Sequence, residues 1–185
     1  MNSVRIVLTS SMIPFLRSVS ISSTANLCID IRNPQSDWET RERVIVDPTE
    51  FVEQDEGARE PPHHFSIKWE GSKKSSVLTV LSVQLLKTAL KKKRGKSKGV
   101  DPHMTRALTA DDSDVFVPVA AFDTRGIEPY AFHPMGGEFI VTSEGGHVFD
   151  EDEDAVDLSE DWGDYDVEND IAVSISDFVS KFEGV

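Results

Sequence analysis

Leu27-Cys28-Ile29-Asp30-Ile31-Arg32 is the stretch on which the fold turns. Apolar Leu27, Ile29 and Ile31 alternate with Cys28, Asp30 and Arg32. A repeat of two belongs to an extended strand whose successive side chains face opposite sides, and it predicts a half-buried β-strand. The same signature recurs on either side. Val4 to Leu8, Arg43 to Val46, Phe65 to Trp69, Val77 to Leu81, Val115 to Phe122, Phe139 to Val141 and Ile171 to Ile175 all read as strands, with Phe178 to Phe182 closing the series. Only Leu81 to Leu90, with Leu85, Leu86, Ala89 and Leu90, has helix-like content. The expected class is therefore mainly β, with at most one or two short helices.

At 185 residues the chain suits one domain, or two small halves that share an interface. Two stretches read as loose, Glu53 to Pro62 and Lys91 to Asp114, and the second changes from basic to acidic. They divide the chain into an N-terminal β half over 1–90, a charged linker over 91–113 and a C-terminal β half over 114–185. A formal charge of −14 opposes binding to nucleic acid or an anionic membrane through the whole surface. No apolar run approaches the roughly 20 residues of a membrane helix. Cys28 is the only cysteine, which rules out an internal disulfide and any all-cysteine metal site. The expected compartment is the cytoplasm. An acid-free stretch of 29 residues with Arg5 and Arg17 gives the alternative of a mitochondrial transit peptide.

The C-terminal half carries the most specific motifs. Thr124-Arg125-Gly126-Ile127-Glu128-Pro129 precedes Phe132-His133-Pro134, and further on come Asp161-Trp162-Gly163-Asp164-Tyr165-Asp166 and Val173-Ser174-Ile175. In this order they resemble the eukaryotic CXXC-motif-containing zinc-binding protein family. Its members carry Arg-Gly-Leu-Glu-Pro, Phe-x-Pro and Trp-x-Asp-Tyr-Asp. The resemblance implies two β-rich halves packed together, a cytosolic protein linked to metal-chaperone partners, and a zinc ion on two Cys-x-x-Cys turns. With Trp38 on the family's tryptophan, Cys28 falls on the first ligand position and Ile31 on the second. Gly57-Ala58-Arg59-Glu60 resembles the following loop, and Trp69 and Ser72 fall on the second pair.

Three of the four ligand positions are thus replaced, by Ile31, Trp69 and Ser72. Structural zinc takes four ligands, chiefly thiolate and imidazole, and a serine hydroxyl is a poor substitute at neutral pH. The expectation is a degenerate site with no cofactor, Cys28 being the one retained ligand position. On its alternating strand Cys28 should be a solitary, partly exposed thiol. The alternative is zinc held by Cys28 with His63 or His64, of which only one could join because neighbouring strand residues face opposite ways. Zinc in such sites contributes roughly 10–16 kcal/mol, against about 1.5–3 kcal/mol for burying one large apolar side chain. The N-terminal half should accordingly be the less stable one.

The remaining candidates read as structural. His133 and His147 sit at expected turns with no nucleophile motif beside them, and Asp123, Arg125 and Glu128 read as a turn plus an ion pair. The basic block Lys87 to Lys98 has no interleaved aromatics for stacking bases. The acidic run Asp150 to Asp154 lacks the glycine and spacing of a calcium loop. Trp162, Tyr165, Phe132 and Phe122 are the expected C-terminal core. Together these readings predict a non-enzymatic adaptor with a protein partner and no nucleic acid or membrane partner.

Overall fold

The computed structural model describes residues 2–12, 15–36, 38–54, 57, 60–83, 85–86, 104–150 and 155–184. The whole basic block Lys87 to Lys98, residues 151–154 of the acidic run, and residues 87–90 of the expected helix lie outside the described residues. Among those described, the fold is mainly β, as expected. The strands are β1 (Asn2–Met12), β2 (Leu16–Ile21), β3 (Leu27–Arg32), β4 (Thr40–Val46), β5 (Phe65–Ile67), β6 (Ser76–Val80), β7 (Val117–Arg125), β8 (Glu128–His133), β9 (Phe139–Ser143), β10 (Val148–Phe149), β11 (Trp162–Asp166) and β12 (Ile171–Gly184). A 3-10 turn covers Ala110–Asp112. A helical turn begins at Ser82, whose carbonyl accepts the Leu86 N–H at 2.9 Å.

The strands form three antiparallel sheets, ordered β11-β12-β1-β7-β6-β5, β10-β9-β2 and β4-β3-β8. Segments 1–90 and 114–185 each contribute to all three. β1 lies between β12 and β7, β2 lies beside β9, and β3 lies between β4 and β8. The two halves of the sequence therefore meet as neighbouring strands within shared sheets. Ile6, Leu8, Ile29, Ile31, Leu78, Phe122, Phe139 and Ile175 fill one continuous core between them.

Two of the four expected C-terminal core residues, Phe122 and Phe132, are buried, and Trp162 packs partly buried against Phe149 at 5.4 Å. Tyr165 is a correction, being exposed, with its hydroxyl on Asp170. On edge strand β11 the inward side of the pleat belongs to Trp162 and Asp166, so Tyr165 points outward. Asp166 is fully buried instead. It accepts the Ser143 hydroxyl at 2.5 Å and the Asn169 side-chain amide at 3.0 Å. Those donors, the Ser143 hydroxyl first, hold its carboxyl below the ordinary value against the effect of burial.

Candidate functional site: the junction of the 33–39 loop and the 69–72 turn

β3 leaves the core at Arg32, and Asn33-Pro34 starts a loop that returns into β4. The loop satisfies its own polar groups. Asn33 Oδ1 accepts the Gln35 N–H at 3.0 Å, the Asn33 carbonyl accepts the Ser36 N–H at 3.1 Å, and the Asn33 N–H donates to the Glu39 carbonyl at 2.9 Å. Asn33 Nδ2 donates to Glu39 Oε2 at 2.5 Å. The other carboxylate oxygen, Glu39 Oε1, accepts the Glu70 N–H at 2.9 Å from a separate turn.

That turn is Trp69-Glu70-Gly71-Ser72, closed by the Ser72 N–H on the Trp69 carbonyl at 3.1 Å. Gly71 takes a φ of +70°, the left-handed conformation glycine adopts at no steric cost. Trp69 is buried, and its Nε1–H donates to the Gly126 carbonyl at 2.7 Å. The Arg41 guanidinium lies 5.8 Å from the centre of its ring, an attractive cation–π placement. Arg41 is also the β4 partner of Ile31, and Ile31 and Trp69 belong to the same buried core. Ser72 Oγ donates to the Lys74 carbonyl at 3.1 Å.

Cys28 sits elsewhere. It lies in the middle of β3, opposite Ile45 on one side and His133 on the other, and is 2% exposed. The expectation of a partly exposed thiol is corrected: β3 is a central strand, and both of its faces are covered. Burial pushes the thiol pKa up, the Asp30 and Glu138 carboxylates add to the rise, and Arg43 opposes it. A buried, protonated thiol is a poor nucleophile and a poor metal ligand. Cys28 is expected to resist a disulfide reagent such as DTNB in native protein and to react at once in denaturant. Stoichiometric labelling within seconds under native conditions would contradict this placement.

The histidines are engaged separately. His63 Nδ1 lies 3.2 Å from the Pro61 carbonyl, while His64 Nδ1 accepts the Val80 N–H at 2.9 Å and its ring stacks on Phe51. His133 stands at the end of β8 rather than on a free turn, its Nε2 2.8 Å from Asp30 Oδ2. Asp30 also accepts the N–H of Arg43, which has a φ of +50° at an irregularity in the β3–β4 pairing. Burial alone would raise the Asp30 carboxyl, but that N–H and the His133 ring hold it below its ordinary value. Arg125 and Glu128 do not pair with each other. Arg125 reaches Glu60 and Glu128 reaches Arg32, each at 2.5 Å.

Zinc and this donor set do not match. Ile31 has no donor atom, the Trp69 indole offers only an N–H already given to a carbonyl, and Ser72 donates its hydroxyl to the backbone. Among the described residues, no group of three or more His, Cys, Asp or Glu side chains is placed to hold a metal ion. No helix among them is long and apolar enough to cross a membrane. Glu39 and Arg41, which join the two turns here, carry no motif of their own. The Asn33-Pro34 turn signal was the one feature that could have located their loop.

The class that this fold defines is an antiparallel β protein in which two tight turns meet at one corner. The family model for the CXXC motif containing zinc binding protein, eukaryotic, matches residues 12–183, and the chain belongs to that family. It is 45% identical over 75 residues to the Drosophila melanogaster UPF0587 protein CG4646, covering 40% of this chain and 44% of that one. It is 33% identical over 78 residues to the CXXC motif containing zinc binding protein of Mus musculus, covering 42% and 46%. The matched stretch thus spans less than half the length of these relatives. Two solved structures share the fold, each with a TM-score of 0.75. One is a hypothetical protein from Plasmodium falciparum, 20% identical over 99% of this chain and 100% of that one. The other is C1orf123, 15% identical over 99% of both chains.

Proposed function

We propose that this chain is a non-enzymatic, cytoplasmic adaptor whose family zinc site is degenerate, and that it works by binding another protein. The observation that carries the reading is Trp38, 82% exposed in a loop whose backbone is pinned at both ends. An exposed tryptophan is the kind of side chain that dominates protein–protein affinity once a partner buries it. The donor chemistry at positions 28, 31, 69 and 72 supports the metal-free part. The negative charge of the whole chain argues for a protein partner over nucleic acid or membrane.

Two measurements test this reading. Elemental mass spectrometry of untagged protein, purified without added zinc beside Cys28→Ser, should find metal far below stoichiometric in both. Near-stoichiometric zinc lost in the variant would restore the alternative, zinc held through Cys28 and histidines. Affinity capture with wild type and Trp38→Ala should recover a protein partner that is released by salt and lost in the variant. Equal capture by both would move the binding surface away from this loop.

A further inference from the structure

The 33–39 loop and the 69–72 turn meet at one junction, and side chains of the loop hold them together. A zinc ion placed between two turns would fix both at once. Here one side chain bridges the gap. Glu39 turns Oε2 to Asn33 Nδ2 at 2.5 Å within its own loop and Oε1 to the Glu70 N–H at 2.9 Å across the junction. Both are hydrogen bonds to a carboxylate, which are stronger than those between neutral groups. The loop around Glu39 is closed by four further hydrogen bonds, three through Asn33 and one from the Glu39 N–H to Ser36 Oγ at 3.4 Å. The carboxylate is thus positioned before it meets the second turn. Behind it, Trp69 fills the corner against Arg41 and anchors to Gly126.

Resting on the metal-free reading above, we propose that Glu39 is a carboxylate clamp that joins the 33–39 loop to the 69–72 turn without a metal ion. A metal crosslink is broken by a chelator and restored by the ion. A carboxylate clamp is indifferent to both and depends on one acidic side chain. The clamp also fixes the base of the loop that presents Trp38, so the exposed anchor would keep its position without metal.

The test is hydrogen exchange at the Glu70 amide in the full chain, read with and without EDTA, for wild type and Glu39→Ala. Exchange should be unchanged by EDTA and about tenfold faster in Glu39→Ala, the loss expected when a hydrogen bond to a charged acceptor is removed. Core amides such as that of Ile6 should be unaffected. A second variant, Glu39→Gln with Asn33→Asp, exchanges donor and acceptor and should recover most of the protection, whereas Glu39→Gln alone sets two amide donors against each other. Exchange that rises with EDTA would overturn both the clamp and the metal-free reading. Exchange indifferent to EDTA and to Glu39→Ala would overturn the clamp alone. The same follows if Glu39→Ala speeds core amides equally and the double variant recovers nothing.

Discussion

Trp69→Ala is expected to lower the unfolding free energy by about 3–5 kcal/mol, the range for deleting a buried aromatic side chain. For a chain of this length that corresponds to a melting temperature lower by roughly 10 °C. Three losses combine. The indole leaves a cavity in the core, the Gly126 carbonyl loses its donor at 2.7 Å, and Arg41 loses the ring under its guanidinium. Trp69→Phe keeps most of the apolar volume and loses the hydrogen bond, so it should fall only about 1–2 kcal/mol. Thermal denaturation followed by circular dichroism checks both variants, with urea titration supplying the free energies. Zinc in the buffer should rescue neither variant. Because strands of both sequence segments share every sheet, the loss should move a single transition. A Trp69→Ala protein melting within about 2 °C of wild type would show that the corner collapses without it, and the indole's place in the core would need another explanation.

The alternating runs of the sequence lie on strands, although β3 is buried on both faces and its burial does not alternate. Leu27 to Arg32, Arg43 to Val46 and Val77 to Leu81 all lie on observed strands to within a few residues. Ile171 to Ile175 and Phe178 to Phe182 are one strand, β12, which passes through Asp177 at a φ of +52°. Four strands were not legible, β10 being only the two residues Val148–Phe149. β2 breaks its period at an irregularity between Leu16 and Ser18. β8 begins Glu128-Pro129, which reads as a turn, although Pro129 is accommodated where the register with β3 shifts. β11 hides an acid inside: buried Asp166 inverts the expected pattern, and its partner Ser143 lies 23 residues away.

The site was legible in its chemistry and not in its position. The absence of thiolates at 31, 69 and 72 can be read from one line of sequence. That Cys28 lies on a strand was legible; that both faces of that strand are covered, and that the loop at 33–39 is the one that meets the second turn, was not. Both depend on the long-range pairing of β3 with β4 and β8 and on the meeting of distant turns, which local pattern does not encode.

Gly126→Ala is the other large loss expected, about 2–3 kcal/mol, and its cause separates into two parts. Gly126 has a φ of +70° at the tight turn from β7 into β8, where an L side chain costs about 1–2 kcal/mol. A Cβ there would also lie 2.3 Å from Ser76 Oγ and 3.1 Å from Ser76 Cβ on the neighbouring strand. Ser76 is itself buried, so relief requires a side-chain rotation or a shift of β6 against β7. The conformation matters beyond its own residue, because it is what aims the Gly126 carbonyl at the Trp69 indole. Adding Ser76→Gly removes the clash and leaves the backbone strain, so the double variant should recover part of the loss measured against Ser76→Gly alone. Coupling should appear with Trp69→Phe as well: once the indole N–H is absent, a displaced carbonyl has less to lose, and the double variant should lose less than the sum of the two single losses. Strict additivity, in urea titrations of all four members of that cycle, would mean that the Arg125-Gly126 turn and the Trp69 corner are independent. The glycine's role would then be confined to its own turn.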